Sequence, residues 1–359
     1  MRLGVTKTQK GYQFAFASAK EVPCTLLLYK KGEETSEFSI PMKRSMGDIY
    51  VADVEKINAK NYEYAYQVGD KIELDPYAKG ISGKKKFGEL TNPQDLRCTF
   101  DLSEYNWEED KHPEIPFSES LIYCTHLRGY TMDKSSKVRA KGTFKGMMEK
   151  IPYLVSLGVK QLELMPIYEF EEFPRPKKKT NLYECEVLQD SLKLNYWGYT
   201  SGYYFAPKAS YAYGKDAARE LKDLVKALHK AGIELILEFY FDETASPNMI
   251  MDCLKFWVEE YHIDGIHINR SAISMKNLVM EPALKSTKIF TEYFEEPELL
   301  EETKNPKRKH LAQYNEGFLV DARRLLKGEE DALRAFADKT KRNPDFYAVV
   351  NYMANHNGF

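Results

Sequence analysis

Residues 263–269 form a short, β-branched segment that contains two side chains able to do chemistry, His267 and Asn269. The segment follows an amphipathic stretch over residues 250–261, in which apolar side chains recur at helical spacing. A helix followed by a strand is typical of a parallel βα architecture, where chemistry takes place at the carboxyl ends of the strands. The pattern therefore predicts that His267 and Asn269 lie at a functional strand end.

Acidic residues stand at the ends of the neighbouring predicted strands. Asp242 and Glu243 follow the preceding strand, and Glu292 lies in the strand after His267. With His267 and His356 close by, this set could bind a metal ion or perform acid–base chemistry. The simpler interpretation, which we adopt, is a polar cleft under no catalytic constraint, whose side chains pair with water or with one another. We therefore expect no metal and no cofactor in this chain.

The elements that position these groups change in type near residue 112. Up to that point, alternating segments such as residues 12–16 and 62–68, separated by turn residues, predict a β-sandwich of about a hundred residues. A charged linker with prolines follows, and from residue 121 apolar strands alternate with amphipathic helices. This order predicts an α/β fold with a parallel sheet in the second part of the chain.

Composition and charge exclude several classes of partner. The chain has 359 residues, with 52 Lys and Arg against 54 Asp and Glu, which gives a formal net charge of −2. This balance offers no electrostatic reason to expect binding to nucleic acid or to an anionic membrane. No apolar run approaches the ~20 residues needed to span a bilayer, and the first residues do not form a signal peptide. The five cysteines are scattered without a Cys-x-x-Cys pair, which favours the cytoplasm.

Several motifs resemble those of one enzyme family. Residues 264–269, Asp-Gly-Ile-His-Ile-Asn, are similar to the Asp-Gly-Phe-Arg-Phe-Asp nucleophile strand of the α-amylase superfamily, glycoside hydrolase family 13. Residues 195–199 and 203–207 resemble the Tyr-Trp-Gly-Tyr and Phe-Phe-Ala-Pro signature that lines the sugar-binding cleft of isoamylase-type members. Residues 74–79, Leu-Asp-Pro-Tyr-Ala-Lys, resemble the segment that closes the N-terminal sandwich of isoamylases and pullulanases.

The resemblance implies both a fold and a domain organisation. Residues 118–359 are expected to form a (β/α)8-type TIM barrel that is incomplete at its C-terminus, with about seven strands. Residues 1–112 are expected to form an immunoglobulin-like β-sandwich, which in debranching enzymes is a carbohydrate-binding module (CBM48-like). A purely structural role, as a buttress on the barrel, remains the alternative for this sandwich.

The same resemblance assigns roles to the residues at the strand ends. Asn269 occupies the position of the catalytic aspartate nucleophile, and His267 occupies that of the arginine that keeps the nucleophile ionised. Glu292 matches the general acid. The family's third carboxylate belongs to a His-Asp pair, which here reads His356-Asn357.

These substitutions affect the groups that hydrolysis requires. Retaining glycosidases use two carboxyl groups roughly 5–5.5 Å apart, and the neutral amide of Asn269 cannot form the glycosyl ester. Loss of a nucleophile that acts as part of a catalytic unit costs roughly 10⁴–10⁶ in rate. A histidine at position 267 is mostly neutral at pH 7 unless its pKa is raised.

Together these observations predict a cytoplasmic α-glucan-binding protein of debranching lineage that has lost hydrolytic activity. Its partner would be a glycogen-like or starch-like chain or a maltooligosaccharide. The expected substrate-binding residues are four aromatic residues and four polar ones: Tyr196, Trp197, Tyr199, Tyr203, His356, Glu238, Asp242 and Glu243. The alternative is an active hydrolase of α-1,6 branches that pairs Glu292 with a relocated carboxylate, Asp242 or Glu243.

Overall fold

The computed structural model describes residues 2–84, 86–100, 104–174, 193–294, 310–344 and 346–356. The strands are β1 (Gly4–Lys7), β2 (Gly11–Ala17), β3 (Cys24–Lys30), β4 (Phe38–Pro41), β5 (Lys43–Met46), β6 (Ile49–Glu55), β7 (Tyr62–Val68), β8 (Lys71–Glu73), β9 (Ile81–Ser82), β10 (Arg97–Thr99), β11 (Ile122–Thr125), β12 (Gln161–Leu164), β13 (Tyr168–Phe170), β14 (Gly202–Pro207), β15 (Glu234–Phe239), β16 (Gly265–Ile268), β17 (Lys288–Thr291), β18 (Leu311–Tyr314) and β19 (Ala348–Val350). The α-helices are α1 (Gly129–Met132), α2 (Phe144–Met148), α3 (Ile151–Ser156), α4 (Ala217–Lys230), α5 (Pro247–Tyr261), α6 (Met275–Met280), α7 (Glu316–Leu326) and α8 (Ala332–Thr340). Within the described ranges, no helix combines the length and hydrophobicity that crossing a membrane requires.

The chain divides into two compact units. Unit 1 comprises Met1–Glu108, Ala140–Gly146 and Ile167–Lys222, and unit 2 comprises Glu109–Arg139, Met147–Pro166 and Asp223–Phe359. The assignment of residues 1–112 and 118–359 to two domain families stays a prediction.

Unit 1 contains two larger antiparallel sheets and a two-stranded one, formed by β13 and β14. One sheet has the order β1-β2-β6-β5, and the other has the order β4-β3-β7-β10-β9, with β8 paired to β7. Phe14 and Phe16 of the first sheet and Leu26 and Tyr64 of the second belong to one hydrophobic core. The alternating segments of the sequence therefore form strands, as predicted for β2 and β7.

A buried aspartate lies in this core, within the Leu-Asp-Pro-Tyr-Ala-Lys motif. Asp75 is 1 % exposed and accepts hydrogen bonds from the Tyr64 hydroxyl and the Tyr77 N–H, both at 2.8 Å. Burial raises the pKa of its carboxyl to about 6, although the hydrogen bonds from Tyr77, Tyr64 and Tyr66 favour the ionised form. The motif thus joins the end of β8 to the core through one carboxyl group.

A buried lysine lies beside the two-stranded antiparallel sheet of β13 and β14. The Lys208 Nζ lies 3.0 Å from Glu169 Oε1 and 2.7 Å from Glu172 Oε1, and it stands 3.9 Å from the centre of the Phe170 ring. All of these side chains are buried. A buried cation needs such partners, because removal of its hydration costs several kcal/mol.

Unit 2 contains a parallel sheet with the order β11-β12-β15-β16-β17-β18-β19. Ile236, Phe290 and Ala312 form a core on one of its faces, and Ile122 of the first strand and Val350 of the last both pack against that core. The sheet is therefore curled. The predicted parallel sheet of about seven strands is confirmed as a curled half-barrel.

Helix α5 positions β16 as its sequence predicts. The Ser246 side chain accepts a hydrogen bond from the Met249 N–H at 3.2 Å, Pro247 starts the first turn, and His262 ends the helix in a left-handed conformation. The predicted apolar stripe is the buried face of the helix, namely Ile250, Cys253, Leu254, Trp257 and Tyr261. These caps and contacts fix the point at which the chain enters β16.

Candidate functional site

The carboxyl ends of four neighbouring strands of unit 2 carry the candidate site. His267 lies on β16 opposite Glu238 of β15, and Ile236 of β15 is opposite Glu163 of β12. Glu292 directly follows β17. Parallel pairing places these side chains at the same end of the sheet, because all the strands run in one direction.

A buried carboxylate, Glu163, links two of these strands to β18. His267 donates its Nδ1–H to Glu163 Oε1 at 2.6 Å, and the Tyr314 hydroxyl donates to the other carboxylate oxygen. The His267 and Tyr314 rings are stacked, with centroids 4.9 Å apart and an angle of 25° between their planes. Glu163 is 1 % exposed, so these two donors replace the water that the carboxylate loses.

Three carboxylates set the charge of His267. Besides Glu163, Glu238 lies 3.8 Å from Nδ1 and Glu292 lies 3.9 Å from Nε2. Burial lowers the pKa of His267, but the charge and hydrogen bond of Glu163, together with the charges of the other two residues, raise it to about 9. The imidazole is therefore protonated at neutral pH and supplies a positive charge among these carboxylates.

Asn269 faces the backbone of the neighbouring strand end. Its Oδ1 accepts from the Phe241 N–H at 3.0 Å, and its Nδ2 donates to the Phe241 carbonyl at 3.1 Å and to Ser271 Oγ at 3.3 Å. This pairing requires one acceptor and one donor on the same side chain. An amide provides both, whereas an ionised carboxylate only accepts.

Glu292 differs from the other carboxylates of the site in its exposure to solvent. Its side chain is 64 % exposed, compared with 11 % for Glu238 and 1 % for Glu163. It also lies within reach of the Thr291 hydroxyl, at 3.3 Å. Of these three acids, Glu292 is therefore the one best placed to exchange protons with a bound molecule or with water.

The remaining predicted polar residues differ in their surroundings. Asp242 Oδ1 accepts from the Thr244 N–H at 3.0 Å and from the Thr244 hydroxyl at 2.5 Å, so this carboxyl closes its own turn. Glu243 is exposed. The pKa of His356 is lowered by burial and by the charge of His267, against the opposing charge of Glu163. Asn357 lies outside the described residues.

The predicted aromatic residues belong to unit 1, where residues 195–200 form a loop that we call the aromatic loop. The Gly198 N–H donates to Asn195 Oδ1 at 3.0 Å, and the buried Tyr168 hydroxyl donates to the Gly198 and Thr200 carbonyls, both at 3.1 Å. Gly198 has a φ of 88°, a conformation that favours glycine. The Tyr168 side chain of β13 thus holds the backbone of the loop in place.

The aromatic side chains are presented to different degrees. Trp197 is 43 % exposed, and its ring contacts that of Tyr196 edge to face at 5.5 Å. Tyr199 is half-buried, and Tyr203 packs against the core of the antiparallel sheets. Trp197 therefore offers the largest exposed aromatic surface of the four.

The comparisons with known proteins agree on a lineage. No protein-family model matches the chain. The chain is 28 % identical to Isoamylase 3, chloroplastic, of rice, an alignment that covers 99 % of this chain and 58 % of the relative. It is 25 % identical to the glycogen operon protein GlgX homolog of Haemophilus influenzae, over 96 % of this chain and 63 % of the relative. A pullulanase mutant from Paenibacillus barengoltzii, crystallised with maltotriose, superposes with a TM-score of 0.66 at 20 % identity, over 89 % of this chain and 58 % of that one.

The chain is a homologue of the debranching enzymes of glycoside hydrolase family 13. The resemblance inferred from the motifs is thereby confirmed. This family 13 homologue spans about three-fifths of the length of the two curated relatives named above, 58 % and 63 %. The likeness to the pullulanase, at 20 % identity, concerns the fold.

Sequence reasoning missed three groups of the family 13 homologue's site: Glu163, Tyr314 and Cys124. The Cys124 thiol and the carboxylates of Glu163 and Glu238 offer ligand atoms that all lie within 4.8 Å of one another. Glu163 had a usable signal, since an acidic residue stands between two leucines of a predicted strand. Tyr314 had none, because β18 was not predicted as a strand.

The arrangement in this family 13 homologue can bind polar ligands and move protons. One protonated imidazole lies among three carboxylates, so both donors and acceptors of hydrogen bonds face the strand ends. Hydroxyl groups of a sugar can pair with either kind. Asn269, which the sequence predicts at the nucleophile position, is an amide bonded to the Phe241 backbone.

Proposed function

We propose that this chain binds α-glucans and does not hydrolyse them by the covalent, retaining mechanism. The ligand class follows from lineage: its relatives bear the names of isoamylases and glycogen debranching enzymes. Glycogen-like or starch-like chains with α-1,6 branches, and the maltooligosaccharides derived from them, are the proposed ligands. The scattered cysteines support a cytoplasmic location.

The pairing of Asn269 with Phe241 carries the proposal of inactivity. The nucleophile of a retaining glycosidase is an ionised carboxylate. At this position the side chain is a neutral amide, and its donor and its acceptor are both bonded to the Phe241 backbone. Such a group neither attacks an anomeric carbon nor turns toward a substrate without breaking these bonds.

One feature of unit 1 supports the binding part of the proposal, and a proposed domain organisation accompanies it. The aromatic loop presents the exposed ring of Trp197, and aromatic faces stack well on sugar rings. Residues 1–112 are proposed to form the immunoglobulin-like, CBM48-like module of debranching enzymes, with residues 118–359 as an incomplete family 13 barrel.

Calorimetric titration with maltooligosaccharides and a branched dextrin, combined with a reducing-sugar assay on the same sample, tests both parts. We expect saturable binding without release of reducing ends. Trp197→Ala should weaken binding about tenfold, equivalent to about 1.4 kcal/mol, without altering the fold. Tyr213→Ala is the matched control, since Tyr213 is an exposed aromatic residue of unit 1, at 59 %, outside both the aromatic loop and residues 1–112. Equal affinity of the two variants would refute the role of Trp197.

The second candidate function is hydrolysis of α-1,6 branches by Glu292 together with a relocated carboxylate. The observation in its favour is that Glu292 is exposed and lies 3.9 Å from the protonated His267. Turnover of the branched dextrin by the unmodified chain, abolished by Asp242→Ala or Glu243→Ala, would establish it in place of inactivity. Because Asp242 closes its own turn, we expect no such turnover.

A further inference from the structure

Five ionisable side chains of unit 2 form a connected cluster at the opposite ends of the same strands. We call them the base cluster: Asp110, His112, His229, His262 and Asp264. They include three of the seven histidines of the chain. Asp264 immediately precedes β16, and its Oδ2 accepts from the Leu235 N–H of β15 at 2.7 Å. The cluster therefore lies at the amino-terminal ends of β15 and β16, away from His267 and Asn269.

Two histidines approach the carboxylate of Asp264 from different sides. His112 Nδ1 lies 2.8 Å from Asp264 Oδ1, and His229 Nε2 lies 2.9 Å from Asp264 Oδ2. The ligand atoms offered by these three residues all lie within 4.8 Å of one another. Two imidazoles and a carboxylate are donors that suit Zn²⁺.

A second carboxylate orients the inner histidine. His229 Nδ1 bonds to Asp110 Oδ1 at 2.9 Å, and the other oxygen of Asp110 bonds to His262 Nδ1 at 3.0 Å. Histidines that bind zinc commonly donate their second N–H to a carboxylate, which fixes the ring and directs the first nitrogen to the metal. Asp110 stands in that relation to His229.

Burial makes a cation favourable at this place. The side chains of Asp110, His229 and Asp264 are 2 %, 2 % and 4 % exposed, so two carboxylates are withdrawn from water. His112 is 44 % exposed and provides an entry path for an ion. With zinc–ligand distances of about 2.0–2.2 Å, the donor atoms of a tetrahedral site lie roughly 3.3–3.6 Å apart. The two histidine–carboxylate pairs, at 2.8 and 2.9 Å, would therefore open by about half an ångström around the ion, and the two imidazole nitrogens, now within 4.8 Å of each other, would adopt the same separation.

We propose that His112, His229 and Asp264 form a zinc site, with Asp110 and His262 as its supporting residues and water as the fourth ligand. This departs from the expectation, drawn from the sequence, that the chain holds no metal. The site has a structural purpose, because His112 belongs to the segment that leads into β11. The same segment is already bonded to the sheet through the Ile115 N–H, which donates to Glu234 at 2.8 Å. An ion bound by His112 would attach this segment to the sheet at a second point.

The test uses the full chain after treatment with EDTA and desalting, titrated with ZnCl2 and CoCl2. We expect one ion per chain with a dissociation constant in the micromolar range or tighter, and a melting temperature that rises with zinc. Co²⁺ should give the visible bands of a tetrahedral site without charge transfer from a thiolate. His112→Ala, at the exposed edge, should lose at least tenfold in affinity while remaining folded. Asp110→Asn should lose roughly 10–100-fold, as expected for a supporting residue.

Two control variants keep the proposal open to refutation. Cys124→Ser alters the other group that could hold an ion, Cys124 with Glu163 and Glu238, and should leave binding unchanged. His356→Ala removes a histidine outside the base cluster and should do the same. The proposal is overturned if no saturable binding occurs at 100 μM metal, a concentration about a hundredfold above a micromolar constant. It is also overturned if His112→Ala binds like the unmodified chain, or if Cys124→Ser abolishes binding.

Discussion

His267 balances the charges of the strand-end site. Three carboxylates converge on it, and two of them, Glu163 and Glu238, have little access to water. Without a cation, these groups would repel one another in a medium where charges are poorly screened. His267 therefore carries a positive charge at neutral pH, because the neighbouring carboxylates raise its pKa.

The dependence of stability on pH should reveal this charge. The pKa of His267 is raised from 6.5 to about 9 in the folded state. Its contribution is fully present below pH 6.5 and is lost as the pH rises through 9, an amount on the order of 3 kcal/mol. Urea unfolding between pH 6 and 9.5 should show this loss, and His267→Gln should flatten it. His356→Gln is the control, because the lowered pKa of His356 moves its titration away from the range in which His267 loses its proton.

Replacement of Asn269 by aspartate tests the proposed inactivity, by placing a carboxylate at the predicted nucleophile position. In Asn269→Asp, one carboxylate oxygen would face the Phe241 carbonyl, where Nδ2 now donates at 3.1 Å. We expect a loss of about 1–3 kcal/mol of stability and no release of reducing sugar from a branched dextrin. Asn277→Asp, an exposed change on α6, should cost little. Robust hydrolysis by Asn269→Asp would contradict the backbone-pairing argument.

At the scale of elements, the close packing of three strands aligns the site. β16 lies between β15 and β17, and Gly265 begins it. A Cβ built on Gly265 would lie 2.9 Å from Ile236 Cγ1 and 3.2 Å from the Lys288 carbonyl oxygen. The strand thus enters the sheet at a place with no room for a side chain, two residues before His267.

Gly265→Ala should therefore destabilise unit 2 by about 1–3 kcal/mol, the usual cost of overpacking. The Lys288 carbonyl belongs to β17 and cannot move without disturbing the parallel pairing. Gly214→Ala is the matched control, since the added Cβ would meet only the end of the Glu220 side chain, at 3.2 Å. Thermal unfolding of both variants provides the comparison, and similar melting temperatures would show that β17 yields more easily than the packing suggests.

At the scale of the whole molecule, each unit contains a buried ionisable group whose contribution to stability is lost as the pH rises. In unit 2 this group is His267, and in unit 1 it is Asp75, whose folded pKa of about 6 lies above the ordinary value of 3.8. The contribution of Asp75 is present below pH 3.8 and is lost as the pH rises through 6. Together the two windows favour a protein that is more stable in mild acid than in mild base.

Asp75→Asn should remove the pH dependence of stability that lies between pH 3.8 and about 6. An amide avoids the cost of burying a charge, which at pH 7 is on the order of 3 kcal/mol, and it can still accept from the Tyr77 N–H. We expect the variant to be as stable as the unmodified chain at pH 4 and relatively more stable at pH 7, measured by urea unfolding. A variant that is less stable at pH 7 would show that the hydrogen bonds to the carboxylate outweigh its burial.

Much of this architecture was predictable from the sequence, because local pattern and fold agree. The stripe on α5 and the alternation in β2 and β7 specify their elements by periodicity alone. Glu163 and Tyr314 were not predicted as site residues, because their importance depends on which strands become neighbours in the curled sheet. The base cluster was not predicted either, since Asp110 and Asp264 are 154 positions apart in the numbering and are bridged by His229 in the folded chain.

The bonds between Asn269 and Phe241 also bear on how this lineage can change. Codons for asparagine and aspartate differ by a single base, so the mutation that restores a nucleophile is constantly available. The intermediate it produces carries a carboxylate against the Phe241 carbonyl, where the amide now donates, and is expected to be less stable and still inactive. Under the proposal that this chain does not hydrolyse glucans, a stepwise gain of hydrolysis passes through this less stable form, whereas a simultaneous change of several residues avoids it.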